Sequence, residues 1–248
     1  MRNLSRHFLC FYIIVIMHLF IILTAPCNLF SMELFGWHHG EYGYKYAMDN
    51  SKENEAPVIL FFYLDSDKYC QELKDVYFSA YDVYSFLNEI PKADINLKGN
   101  EFEIELAKKY NTELDPSLMI LFPFTKKDPV RITPFLREKD MTPKEFSVNL
   151  KKICALTYND MGYSYFIDRD YENAIKYYDF SIRYNPEQAY PLFAIGSVYH
   201  AMAVEKRDLE YIKKADEYYK KALKLDPEYK ECKEELEKLN NNKAIISK

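Results

Sequence analysis

Cysteine is the side chain best suited to covalent or metal chemistry, and this chain has five: Cys10, Cys27, Cys70, Cys154 and Cys232. They are scattered, with no C-x-x-C pair and no Cys/His set at the spacing that wraps a tetrahedral zinc ion. Cys10 and Cys27 fall in or beside an apolar leader, which leaves three thiols in the folded part and no even-numbered disulfide framework. His38, His39 and Glu41 form a second cluster of ligand-type residues. On an extended segment adjacent side chains point to opposite faces, so the two imidazoles would not converge on a metal. No G-x-S-x-G, H-E-x-x-H or phosphate-cradling glycine loop occurs, and only six glycines are present to build one. The residues therefore define no catalytic site, no metal site and no cofactor.

The bulk chemistry points to protein partners. A formal net charge of −5 leaves no basic footprint for a phosphate backbone, which argues against nucleic acid. The 23 tyrosines pack their rings while offering a hydroxyl to a neighbour, a property of surfaces that bind as well as of cores. A length of 248 residues accommodates two domains. Ahead of them, Arg2 and Arg6 precede residues 8–25, an apolar stretch without Asp, Glu, Lys or Arg, which is the order of a secretory signal. Its length is close to that of the shortest membrane-spanning helices, and no small-x-small cleavage site follows cleanly. A cleaved signal peptide over residues 1–30 and an uncleaved signal anchor both fit. Either places the remainder outside the cytoplasm, so the expectation is an exported, periplasmic or extracytoplasmic protein, tethered through residues 8–25 if uncleaved.

After a polar stretch over residues 49–56, Pro57 introduces Val58-Ile59-Leu60-Phe61-Phe62-Tyr63-Leu64, a continuous apolar run suited to a strand covered on both faces. Residues 70–90 then carry apolar side chains at helical spacing, with a break near Ser79. A short strand over 93–97, a helix over 101–110, and strands over 118–122 and 130–136 follow. Thr142 and Pro143 open a closing helix to about Ala155, with Thr as cap and Pro in the first turn. Alternation of strand and helix makes the class α/β. This order, with Glu55-Ala56-Pro57-Val58-Ile59-Leu60 leading into the first central strand, resembles the exported branch of the thioredoxin-like superfamily and covers residues 37–156. Two local matches carry it: residues 62–71 stand where that family has its Trp-Cys-x-x-Cys turn, and Leu114-Asp115-Pro116-Ser117-Leu118 where it has a loop proline, usually cis. The resemblance places Asp67 at the nucleophile position and Cys70 at the resolving position. That is a degenerate site (Asp67, Cys70, Pro116), since a lone resolving cysteine cannot cycle between dithiol and disulfide.

Internal repetition dominates the remainder. Tyr158, Gly162 and Tyr165 recur as Leu192, Gly196 and Tyr199, each 34 residues later. Ala174, Tyr178, Ser181, Asn185 and Pro186 recur as Ala215, Tyr219, Ala222, Asp226 and Pro227, at a spacing of 41. Seven extra residues thus lie between Tyr199 and Ala215, fitting either lengthened helices or a loop projecting around residues 205–214. The pattern resembles the tetratricopeptide repeat: helical hairpins whose small residues let paired helices approach. Helices are expected over 156–168, 171–184, 189–204, 209–225 and 228–240, the last a capping helix. The resemblance implies that the first helix of each hairpin lines a concave face. That makes Asn159, Tyr163 and Phe166, and then Phe193, Ser197 and His200, the candidate contacts for a protein or peptide partner. The alternative is that these aromatics pack against the neighbouring domain.

The organisation expected is therefore residues 1–30 as signal or anchor, 35–155 as an α/β thioredoxin-like domain, 156–240 as all-α tetratricopeptide hairpins with their cap, and 241–248 as a tail. The function expected is a non-catalytic scaffold of the cell envelope that binds a protein partner. The alternative is a thiol-dependent oxidoreductase or redox chaperone acting through Cys70, with Cys154, Cys232 or a partner's thiol.

Overall fold

A computed structural model describes residues 36–132 and 141–247. The signal or anchor segment, Cys10, Cys27 and the far end of the strand expected over 130–136 lie outside those residues. No helix among the described residues is long and apolar enough to cross a membrane.

The first part runs β1 (His38–His39), α1 (Gly40–Asn54), β2 (Val58–Tyr63), α2 (Lys68–Glu72), a single π-helical turn (Leu73–Tyr77), α3 (Tyr81–Asn88), β3 (Lys92–Asn96), α4 (Glu101–Lys109), β4 (Ser117–Leu121) and β5 (Val130–Arg131). The sheet order is β1-β3-β2-β4-β5. β1, β3 and β2 are parallel, while β4 pairs antiparallel with β2 and β5 antiparallel with β4. β2 is central, and all five residues from Val58 to Phe62 are fully buried, which is why its sequence shows no alternation. Val58, Leu60 and Phe62 join Ala47 of α1 and Leu106 and Ala107 of α4 in one core. Ile59 and Phe61 face the other way. There the Phe61 ring meets Phe78 edge-on at 5.2 Å, beside the helices of the opposite layer.

The second part is α5 (Pro143–Ile167), α6 (Tyr171–Tyr184), α7 (Ala189–Lys206), α8 (Leu209–Leu225) and α9 (Lys230–Ile246). α5 starts on a capping box: Thr142 accepts the Glu145 N–H at 3.3 Å, and the Glu145 carboxylate accepts the Thr142 N–H at 2.9 Å. Where two helices were expected, over 143–155 and 156–168, there is one. No residue near 155 carries a cap or a breaker, and Cys154, Ala155 and Tyr158 are buried along one uninterrupted stripe. α5 therefore closes the α/β layer with its first half and opens the helical hairpins with its second. α9 likewise runs past the expected end at 240, through most of the residues assigned to a tail.

Tyr158 makes the junction. Its side chain is 1% exposed, and its hydroxyl donates to the Glu55 carbonyl at 2.7 Å, just beyond α1. Around the ring stand Phe122 and Phe124 from the α/β side and Tyr177, Phe180 and Tyr184 from α6, with Tyr184 stacked at 5.5 Å. The Lys176 ammonium reaches the Glu55 carboxylate at 2.6 Å. From His38 onward the chain is accordingly one compact unit.

Both hairpins close on the same contact. A Cβ at Gly162 would lie 2.8 Å from the Tyr178 ring, and one at Gly196 2.6 Å from the Tyr219 ring. The glycines keep the 34-residue spacing and the tyrosines the 41-residue spacing, so the extra residues fall between them. They lengthen helices rather than build a loop: α7 continues from Gly196 to Lys206, whereas α5 stops at Ile167, and α8 starts at Leu209, well before Ala215. The turns stay alike, each with a left-handed Arg (Arg169, φ 60°; Arg207, φ 52°) followed by an Asp N-cap, Asp170 or Asp208.

The Gly–Tyr contact generates a prediction against propensity. In an exposed helix Gly→Ala stabilises by about 1 kcal/mol, but overpacking a buried ring costs about 1–3 kcal/mol. Gly196→Ala should lower Tm by about 2–4 °C, the shift a net loss of about 1 kcal/mol gives in a domain of this size. A thermal melt with unchanged or raised Tm would refute the contact.

Candidate functional site

Asp67 and Cys70 sit where β2 passes into α2. Asp67 is the N-cap, its Oδ1 accepting the Cys70 N–H at 3.0 Å, so the carboxylate meets the orphan donors of the helix start. The Cys70 thiol is 1% exposed, and its Sγ accepts the Leu64 N–H at 3.4 Å. Burial pushes its pKa up to about 11; the Asp67 charge adds to this, while the Leu64 N–H and the Lys74 ammonium oppose it. Accessibility is part of what makes a thiolate reactive, and Cys70 is buried in this structure. Pro116 is buried ahead of β4, and its peptide bond is trans where the resemblance implies cis. Cys154 and Cys232 are also buried free thiols, both raised by burial, Cys232 to about 11.

The histidine pair divides as an extended segment requires. His39 Nδ1 lies 2.7 Å from the buried Asp94 carboxylate, whose pKa burial raises and the His39 contact lowers. The His38 ring instead packs on Tyr46 at 4.3 Å, and Glu41 pairs with Lys45 at 2.6 Å. Among the described residues no group of three or more His, Cys, Asp or Glu converges as metal ligands would.

On the helical part, Tyr163, Phe166, Phe193, Ser197 and His200 line one cleft of about 730 Å³. The sixth candidate, Asn159, does not: it is 4% exposed and donates to Gln188 Oε1 at 3.3 Å, in the join between hairpins. The described residues of the α/β layer contribute nothing to the lining. That layer is met instead by Tyr158 and its ring neighbours, Tyr158 lying about 140° around α5 from Tyr163. Tyr163, by contrast, is 53% exposed.

The cleft floor is a polar chain. Tyr219 Oη is 3.3 Å from Ser197 Oγ and 3.4 Å from His200 Nδ1. Asn242, from the extended end of α9, donates to His200 Nε2 at 2.8 Å, which leaves the ring proton on Nδ1, 3.5 Å from Glu235 Oε2. Burial lowers the His200 pKa below its ordinary 6.5, against the pull of Glu235. Arg169 and Tyr171 both reach Glu205 Oε1, at 3.0 and 2.7 Å, and tie one hairpin turn to the next. Residue spacing offered no route to Glu205, Glu235 or Asn242, since none repeats; Glu205 and Asn242 lie beyond the expected ends of α7 and α9, and Glu235 lies within α9.

The sequence model of the tetratricopeptide repeat family matches residues 155–188 and 196–229. The two matches start 41 residues apart, so the second is phased on α8 and begins inside α7. The helical part thus carries two segments that match the tetratricopeptide repeat, and it follows an α/β domain. Solved structures similar to the chain include the solution structure of a thioredoxin from Thermus thermophilus, 21% identical, covering 38% of this chain and 79% of that one, with a TM-score of 0.31. They also include the first tetratricopeptide domain of Spaghetti (RPAP3) bound to the HSP90 peptide SRMEEVD, 21% identical, covering 38% of this chain and 95% of that one, with a TM-score of 0.21. No curated protein matches the chain.

Two measurements test the site as described. With a pKa near 11, Cys70 is about 0.1% thiolate at pH 8. Peptide mapping after native iodoacetamide treatment should leave it unmodified and map it as alkylated only after denaturation; ready native labelling would contradict its burial. For His200 the folded pKa lies below the unfolded one, so the unfolded chain takes the proton first. Its contribution to stability is therefore intact above about pH 6.5 and falls away as pH drops toward the folded pKa. Tm should fall more between pH 7.5 and pH 5 in the wild type than in His200→Gln, and equal losses would remove His200 from the account.

Proposed function

We propose that this protein is a non-catalytic scaffold of the cell envelope, in which a redox-silent thioredoxin-like domain carries two tetratricopeptide repeats that hold a protein partner. Tetratricopeptide repeats are interaction modules, and the observation that carries the reading is the cleft: aromatic, largely open, and left uncovered by the described residues of the α/β layer. The redox-silent assignment is supported by Asp67 at the helix start and by the buried thiol of Cys70. Export is supported by Arg2 and Arg6 ahead of the uncharged apolar residues 8–25, which serve as a cleaved signal or a retained anchor.

Point variants test this better than truncation at Ala155, which would cut α5 in mid-helix and strip Tyr158 from its partners. Partner capture from the envelope fraction by the full chain should drop about 5- to 30-fold in Tyr163→Ala, the loss of 1–2 kcal/mol expected of an exposed aromatic contact. Capture should be unchanged in Cys70→Ser. If Cys70→Ser abolished capture together with a trapped mixed disulfide, the thiol-dependent alternative would replace this reading.

A further inference from the structure

The cleft leaves an occupant little to pair or hydrogen-bond with. Among the described lining residues, every polar side chain except Tyr163 already has a partner within the chain. Glu205 holds the Arg169 guanidinium at 3.0 Å, and Glu235 holds the Lys238 ammonium at 2.7 Å. At the floor Asn242 donates to His200, the Tyr219 hydroxyl reaches Ser197 and His200, and the Tyr178 and Tyr190 hydroxyls are hydrogen-bonded to each other. The walls are the helices α5 and α7, whose own N–H and C=O groups are bonded along their axes.

What remains for a partner is apolar and runs along those two helices. Leu156 and Ile167, seven residues before Tyr163 and four after it, share its stripe on α5, and all three are more than half exposed. Asp160, beside that stripe, is paired with Lys127 at 2.5 Å. On α7 the lining residues Phe193, Ser197, Ala201 and Val204 fall at the same helical spacing, and Val204 is 49% exposed. Leu156 and Ile167 are eleven residues apart, as are Phe193 and Val204. Each stripe therefore rises about 16 Å, or three turns.

An extended segment would bring its own N–H and C=O groups against walls that have nothing free to receive them, and desolvating unpaired backbone groups is unfavourable. A helix avoids this, because its backbone is bonded internally. Apolar residues at i, i+4, i+7 and i+11 would lay one stripe against the two in the cleft over their whole length. Charged side chains gain no pairing there and belong on the opposite, solvated face. Building on the reading of this cleft as the partner site, we propose that its occupant is an amphipathic α-helix of about three turns in the partner protein, seated between α5 and α7 through an apolar stripe and held without ion pairs.

Fluorescence anisotropy with the folded full chain and two labelled peptides, each about fourteen residues long, tests this. One carries Leu at i, i+4, i+7 and i+11 with Ala, Lys and Glu elsewhere; the other has Pro in place of two central polar residues, which keeps the leucines and breaks the helix. The helical peptide should bind about tenfold tighter than the proline peptide, with less than about a twofold change in affinity between about 50 and 500 mM salt. Val204→Asp, in a variant whose Tm confirms folding, should weaken it about tenfold. Equal binding of the proline peptide, a steep loss of affinity with salt, or no effect of Val204→Asp overturns the inference. So does binding of neither peptide, or self-association of the chain that Val204→Asp abolishes, which would seat a second copy in the cleft. In each of those cases, partner capture by Tyr163→Ala reports separately on whether the cleft is the partner site.

Discussion

Tyr158 is buried on α5 where the sheet layer ends and the hairpins begin, and the rest of the arrangement depends on how it is held. Its hydroxyl can be satisfied in an apolar setting only by a fixed partner, and the Glu55 carbonyl at 2.7 Å is that partner. Glu55 itself has a left-handed backbone conformation that ends α1, so one hydrogen bond couples the end of an α/β helix to the first repeat. The stacked rings of Tyr184 and Tyr177 then set the position of α6. Because α5 is continuous, the rotation of one layer dictates the rotation of the other, and the concave face is turned away from the sheet. Two repeats are few for a free-standing array; here the α/β layer supplies the missing neighbour on one side and α9 on the other.

Within the hairpins the same logic operates at smaller scale. Gly162 and Gly196 remove a Cβ so that Tyr178 and Tyr219 can lie against the facing helix backbone. That contact is the fixed point of each hairpin, and the two hairpins differ only in how far their helices run beyond it. Lengthening α7 and starting α8 earlier keeps the pair matched, since extending one helix alone would leave an apolar stripe without a partner. The consequence is a deeper cleft, with Val204 and Glu205 on the extension and with α9 long enough to bring Asn242 to His200.

The α/β layer has a different character. Its helix start holds a carboxylate where the resemblance implies a nucleophilic thiol, and the remaining thiol accepts a backbone N–H in a dry setting that disfavours ionisation. Asp94 is similarly absorbed by His39. Under the proposed reading these groups stabilise and orient a platform, and recognition is left to the repeats it supports.

Strand and helix order, the central position of β2, the Thr142 cap with Pro143 in the first turn and the tetratricopeptide spacing were all legible in the residues, because each rests on local periodicity or on a cap a few residues long. The two spacings of 34 and 41 also located the insertion. Five of the six expected concave residues share the cleft, since helical period alone decides which side chains share a face; Asn159 lies on the edge of that face and was taken into the join. What periodicity could not resolve was whether the helix breaks near Ala155, because two abutting helices and one continuous helix show the same apolar pattern. Nor could it choose between longer helices and a loop, or find Glu205, Glu235 and Asn242, which do not repeat. Those were decided by tertiary packing: a helix continues when both halves of its stripe find a buried partner, and a cleft acquires its charge from whichever side chains distant helices bring to its rim.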